Sequence, residues 1–170
     1  LDKGQWTIDD TAQRMELLIN VVNDAKVKID ATSDVDFVTW WQSPHGQRYL
    51  QSNINATQQR KVIVKRIFIV KRSIVDALEQ MNASEQLFRN IKVQEESGVQ
   101  IGIAIEEDVA RELRPFPIEN LIICDDNFTA WSLTNASDGG KASVNRDDIT
   151  DAQMRFSKIE MLSKKPSEFE

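Results

Sequence analysis

Val62-Ile63-Val64-Lys65-Arg66-Ile67-Phe68-Ile69-Val70 is the most strand-like stretch of this sequence, and its reading decides the fold class. It is nearly continuous in β-branched and aromatic residues rather than alternating with polar ones. A strand covered on both faces has that composition, because neither side of its pleat meets water. Strands of this kind belong to parallel sheets flanked by helices. Lys65 and Arg66 interrupt the run, so we expect one end of it at the edge or rim of the sheet.

The segments on either side alternate in type. Upstream, Thr7 stands before Asp9 and Asp10 and can cap a helix, whose apolar positions Ile8, Ala12, Met15, Ile19 and Val22 recur at helical spacing to about Asp24. Lys26 to Ala31 alternates as a strand. Residues 35–41 are aromatic and unassigned, and Ser43-Pro44 opens a helix that runs to about Gln59. Downstream, Ser73 to Met81 reads as a short helix, broken at Asn82-Ala83-Ser84. Ser84 can cap a second helix ending near Ser97-Gly98. Val99 to Ile105 is a strand, Glu106 to Glu112 a turn or two of helix, and Leu121 to Cys124 a short buried strand. Asp125-Asp126-Asn127 turns the chain into Phe128 to Leu133. Ala142 to Val144 reads as an edge strand, and a last helix runs from Asp147 to Leu162. The order predicts an α/β fold with a mixed, largely parallel sheet flanked by helices and a hairpin late in the chain.

Length and composition bound the rest. The chain has 170 residues, 41% apolar and 28% charged, as expected of one globular domain spanning 1–170. It opens on Leu1 rather than Met, which leaves room for excision from a longer protein. Residues 164–170 read as a tail or linker stump. The net charge of −6 argues against nucleic acid as a partner through this domain, and against anionic membranes. No apolar run approaches the ~20 residues of a membrane span. The single cysteine, Cys124, excludes an internal disulfide framework and suits a reducing compartment, so a cytoplasmic location is expected.

Several chemistries are excluded by residue counts. One Cys and one His cannot build the usual zinc site. Gly139-Gly140-Lys141 lacks the spacing of a phosphate loop, and no nucleophile elbow is present. Cys124 lies inside an apolar strand and reads as core. The lone His45 stands at a helix start, either exposed, or as a general base or nucleophile with a partner the sequence does not locate, or as a ligand contact. Asp125-Asp126 and Glu106-Glu107-Asp108 lie at strand ends, where parallel sheets bind ligands; they are also ordinary turn and first-turn residues. Trp40, Trp41 and Tyr49 form either a stacking platform or core. The basic residues Arg60, Lys61, Lys65, Arg66, Lys71 and Arg72 form either a phosphate patch or a solvated rim.

Three stretches together carry a family resemblance. An early strand leads through a Trp- and Tyr-containing helical region into Val64 to Ile69. A helix then ends in Ser97-Gly98-Val99-Gln100-Ile101, and Leu121-Ile122-Ile123-Cys124-Asp125-Asp126 leads into Phe128 to Asn135. Over residues 8–162 the chain resembles the phospholipase D-like superfamily, and in particular its members without the catalytic motif. The active members carry H-x-K-x4-D-x6-G-S-x-N. Aligned on Asp125, the His position holds Ile118, the Lys position Asn120, the Gly-Ser pair Ser132 and Leu133, and the last position Asn135. An isoleucine cannot attack phosphorus as imidazole does, and an asparagine cannot neutralise phosphoryl charge as lysine does.

The resemblance implies a non-catalytic domain that senses, binds a small ligand or contacts a protein, with Asp125, Asn135 and Asn120 lining the former active-site cleft. It implies pairing into a homodimer, and no cofactor is expected. The other readings are an enzyme using strand-end carboxylates with Mg²⁺ on a phosphorylated or nucleotide substrate, and a structural oligomerisation module.

Overall fold

The computed structural model describes residues 4–34, 38–79, 85–131 and 139–169. The decisive stretch folds as strand β3 (Ile63–Val70), hydrogen-bonded on both sides to parallel neighbours. These are β2 (Lys28–Asp34) and β4 (Gln100–Ile105). The crossover from β2 to β3 contains helices α2 (Val38–Gln42) and α3 (Pro44–Arg60). That from β3 to β4 contains α4 (Arg72–Glu79) and α5 (Glu85–Glu96). Parallel neighbours need such long returns, and helices supply them.

Next to β2 the sheet turns antiparallel. Strands β5 (Leu121–Cys124), β6 (Phe128–Trp131) and β7 (Gly140–Ser143) follow in a meander, and β1 (Gln5–Ile8) pairs with β7 at the margin. The seven-stranded order is β1-β7-β6-β5-β2-β3-β4. Helices α1 (Thr11–Asp24), α2, α3 and α5 cover one face; α6 (Glu106–Leu113) and α7 (Arg146–Leu162) cover the other. The result is the expected mixed α/β sheet flanked by helices, but the expectation that it is largely parallel is corrected. Two of its six described strand pairings are parallel and four are antiparallel, because β5, β6 and β7 form a meander and the margin strand β1 runs against β7.

The pleat assigns the residues of β3 to two cores. Val64, Phe68 and Val70 join the core under α1, α3 and α5, while Ile67 and Ile69 join the core under α6 and α7. Lys65 and Arg66 therefore point opposite ways. Lys65 pairs with Glu160 of α7 at 3.1 Å, and Arg66 is 1% exposed inside the first core. The expectation that these two residues mark the sheet's edge is corrected: β3 is an interior strand, and a basic pair in it gives one ion pair and one buried cation.

Other expectations are corrected at the margins. Thr7 and Ile8 lie in β1, so Thr7 does not cap α1 and Ile8 is not one of its positions; Asp10 caps it, its carboxylate accepting from Gln13 N–H at 2.9 Å. The predicted edge strand near Ala142 is β7, and it is interior because β1 covers it. Residues 164–169, expected as a tail or linker stump, are tied to the fold. Lys164 bridges Ile103 of β4, and a 3-10 turn (Pro166–Phe169) buries Pro166 and packs Phe169 on the first core. Gly102 makes this approach possible, because a Cβ there would lie 2.8 Å from Ser163 Oγ. The break at Asn82-Ala83-Ser84 falls outside the described residues.

Candidate functional site

The aromatic stretch that the sequence left unassigned supplies the wall of a cavity. Trp40 and Trp41 lie on α2, and Ser43 ends it, its hydroxyl donating to Trp40 O at 2.6 Å and accepting from Gly46 N–H at 3.1 Å. Helix α3 then starts at Pro44 and folds back against α2. Gly46 permits the contact, since a Cβ there would stand 2.0 Å from Trp40 O and 2.7 Å from Trp41 Cα. The fold-back brings Tyr49 to both tryptophans, with ring centroids 5.6 Å from Trp40 and 5.4 Å from Trp41. Trp41 and Tyr49 are buried and Trp40 is half-buried. The two readings of this cluster are thus both realised: its inner rings are core, and its outer ring faces the cavity.

Arg66 rises from β3 into the same cluster. Its Cζ lies 5.1 Å from the ring of Trp41 and 5.1 Å from that of Tyr49, within cation–π range. Its Nη1 donates to Ser33 Oγ at 2.9 Å; its Nη2 donates to Tyr49 Oη at 2.9 Å and to Asn53 Oδ1 at 3.0 Å. All three acceptors are neutral. Its Nε is buried without a hydrogen-bond partner, and among the described residues no carboxylate forms an ion pair with it. Burying a cation without a counter-charge costs several kcal/mol. Hydrogen bonds and aromatic faces offset part of that cost, and Nε–H remains unsatisfied.

The cavity lies where the chain leaves β2 and enters β5. It is lined by Ser33, Asp34, Trp40, Arg66, Asn120 and Leu121 among others, and offers about 40 Å³ to water-sized groups. Asn120 is fixed by its backbone neighbour across the strands: Asp34 N–H donates to Asn120 Oδ1 at 2.8 Å. Thr32 ties the same strands, accepting from Leu121 N–H at 3.0 Å. Ile118 packs instead against the second core, on the far side of the sheet.

The structure does not gather the four residues that the sequence singled out. Asn120 lines the cavity. Asp125 lies at the other end of β5, roughly 16 Å away along the strand. Its carboxylate accepts from the N–H groups of Lys26, Val27 and Lys28 at 2.8–2.9 Å, clamping the start of β2. Burial pushes its pKa up, but these backbone donors outweigh that and hold it below the ordinary carboxylate range. Asn135 falls outside the described residues. His45 sits half-buried in the first turn of α3, close enough to Glu16 to act on it electrostatically, and is not among the cavity's lining residues.

The remaining sequence candidates are taken up by the fold. Asp126 pairs with Lys28 at 3.0 Å and accepts from Gln153. Glu107 accepts from Arg72 N–H, and Asp108 pairs with Arg72 and Arg111. Among the described residues no group of carboxylates, His or Cys is arranged to hold a metal. The basic residues do not form one patch: Arg60 reaches the carbonyls of Val22, Asn23 and Ala25 at the end of α1. Burial pushes the Cys124 thiol far above its ordinary range, leaving it neutral and inert. No described helix is long and apolar enough to cross a membrane.

A second cavity, of about 230 Å³, lies beneath α7 and is lined by Glu119, Trp131, Asp148 and Arg155 among others. Arg155 is engaged there by Glu119 and Asp151 and stacks over Phe116. Its cation is therefore already compensated, unlike Arg66. Sequence reasoning named Arg66 only as one of six basic residues in a surface patch or rim and did not single it out as buried. The available signal was a guanidinium inside an apolar run, which marks a buried polar site as readily as a strand end.

No family model matches the sequence, and no curated protein matches it. Solved structures do. Nuc of Salmonella typhimurium, a phospholipase D family member, superposes with a TM-score of 0.56 at 12% identity, covering 88% of each chain. NucT from Helicobacter pylori gives 0.57 at 10% identity, covering 95% of this chain and 96% of its own. The phosphatidylserine synthase of Haemophilus influenzae gives 0.55 at 10% identity over 89% of this chain and 35% of its own. The chain has the phospholipase D-like fold.

Proposed function

We propose that this chain is a non-catalytic phospholipase D-like domain that binds a small ligand in the cavity between α2, α3 and the β2–β5 strand ends. The observation that carries the reading is the cavity itself: a buried, incompletely satisfied guanidinium lines it, beside Asn120 and beneath an aromatic wall. Native structures rarely leave a buried donor without a partner, and a ligand group is one way to supply it. Small-molecule sites combine an apolar wall with a few fixed polar groups in this manner.

Residue chemistry supports the absence of catalysis. Ile118 and Asn120 stand at the positions where the resemblance places a nucleophilic histidine and a phosphate-binding lysine, and the one histidine, His45, belongs to α3. The carboxylates of the Mg²⁺ reading are engaged in backbone and ion-pair contacts, so that reading has no free acidic cluster among the described residues to stand on.

A thermal-shift screen of small carboxylates, sugar phosphates, nucleotides and neutral sugars tests the binding. A ligand at one hundred times its dissociation constant adds about 2.7 kcal/mol of stability. The expected result is a shift that Asn120→Ala and Trp40→Ala weaken. Phosphodiesterase turnover that disappears with Asn120→Ala would overturn the non-catalytic reading.

A further inference from the structure

Arg66 has five N–H donors, of which three make the hydrogen bonds to Ser33, Tyr49 and Asn53. The guanidinium cannot deprotonate to escape the cost of burial, as a lysine could. It stands in a cavity with a buried charge, neutral acceptors and spare donors. An anion entering there meets a cation already stripped of water and held by its neighbours, so the attraction is strong and little reorganisation is needed.

The size of the cavity narrows the anion. A water-sized group needs about 10–15 Å³ of such space, so 40 Å³ accepts about three heavy atoms. The enclosed space therefore takes a carboxylate group itself, and any larger body attached to it lies outside, towards Trp40. Beyond the charged floor, the half-buried Trp40 and the partly buried apolar residues beside it offer a surface to an apolar body. Asp34 also lines the cavity, and its carboxylate opposes any anion, a multiply charged one more strongly than a monocarboxylate.

We infer that the cavity selects a monocarboxylate, with the carboxylate on Arg66 and an apolar or aromatic body against Trp40. This deepens the proposed binding function and rests on it. Arg66 is the specificity-determining residue and Trp40 the wall.

The test uses charge-matched pairs on the full chain at pH 7 and constant ionic strength: acetate with acetamide, benzoate with benzamide, and inorganic phosphate as a further anion. Thermal shift and tryptophan fluorescence are both read. Benzoate at one hundred times its dissociation constant is expected to raise Tm by about 5–10 °C, with benzamide binding at least tenfold more weakly. Trp40→Ala should weaken benzoate roughly 2–10-fold and acetate by less. Arg66→Gln should weaken both carboxylates roughly 10–100-fold. Should Arg66→Gln fail to fold, the acid and amide pairs on the unaltered chain decide the matter alone. Equal binding of acid and amide, or phosphate binding more tightly than benzoate, overturns the carboxylate assignment. A neutral compound from the wider screen that binds with dependence on Trp40 does the same, but leaves the ligand-binding reading standing. No response to any compound overturns both.

Discussion

At the residue scale, two charged side chains carry the argument, and they differ in how visible they were. Asp125 was visible for the wrong reason. Its place at a strand end suggested a ligand or metal contact, yet its carboxylate holds three backbone N–H groups at the start of β2. It also sits with Asp126 at positive φ, 53° and 54°, in the three-residue turn Asp125-Asp126-Asn127 joining β5 to β6. Such φ values usually fall to Asn and Gly; here the two aspartates accept the backbone cost because their carboxylates are tied down. The consequence is a pH dependence. The folded pKa is depressed, so the stabilisation is fully present above the unfolded value near 4 and fades as pH falls through the folded value. Asp125→Asn should cost about 1–2 kcal/mol at pH 7 in urea unfolding, and the gap to the unaltered chain should narrow below about pH 4. Arg66 is the opposite case. It was read as a sign of the sheet's rim, because a lone sequence cannot say which face of a pleat is buried, nor that Ser33, Tyr49 and Asn53 converge on one guanidinium from three elements.

At the element scale, the regular pieces were legible and their neighbours were not. Helix α3 and strands β3 to β6 follow from apolar spacing, Pro44 and turn residues, all local signals. Strand β1 was missed because four residues with an exposed middle, paired only at the margin, carry no periodic signal. The C-terminal strap was missed because its order comes from β4 and the first core, through Lys164, Pro166 and Phe169. A chain ending at Ser163 should lose those contacts and melt several degrees lower in calorimetry, about 2–4 °C for each kcal/mol lost. The α2–α3 contact gives a sharper prediction. Gly46→Ala places a methyl group on the backbone of Trp40 and Trp41, neither of which can yield as a flexible side chain would. It should cost about 1–3 kcal/mol and displace the aromatic wall, weakening ligand binding together with stability. A near-UV circular dichroism change in the tryptophan bands checks the second part.

At the scale of the whole molecule, the sheet order was beyond sequence reasoning but the class was not. The alternation of elements indicated a mixed sheet, and the resemblance indicated the phospholipase D-like arrangement that the solved structures bear out. Identities of 10–12% fix the fold and leave the chemistry to the residues. The resemblance also implies pairing of two such domains, and sedimentation equilibrium of the chain tests it: a dimer is the expected result. What unites the molecule is that both crossovers after β2 and β3 fold onto one face, and the point where β2 gives way to antiparallel β5 opens beside the buried arginine.

The central claim is that this opening is where ligand goes. The most direct test is a two-dimensional ¹H–¹⁵N NMR titration with benzoate, following the backbone amides, the tryptophan indoles and the arginine Nε–H groups. The account predicts saturable shifts at the Trp40 indole, at the amides of Ser33, Asp34 and Asn120, and at one arginine Nε–H that is lost in Arg66→Gln. Shifts confined to the cavity beneath α7, or scattered over the surface without saturation, would contradict it.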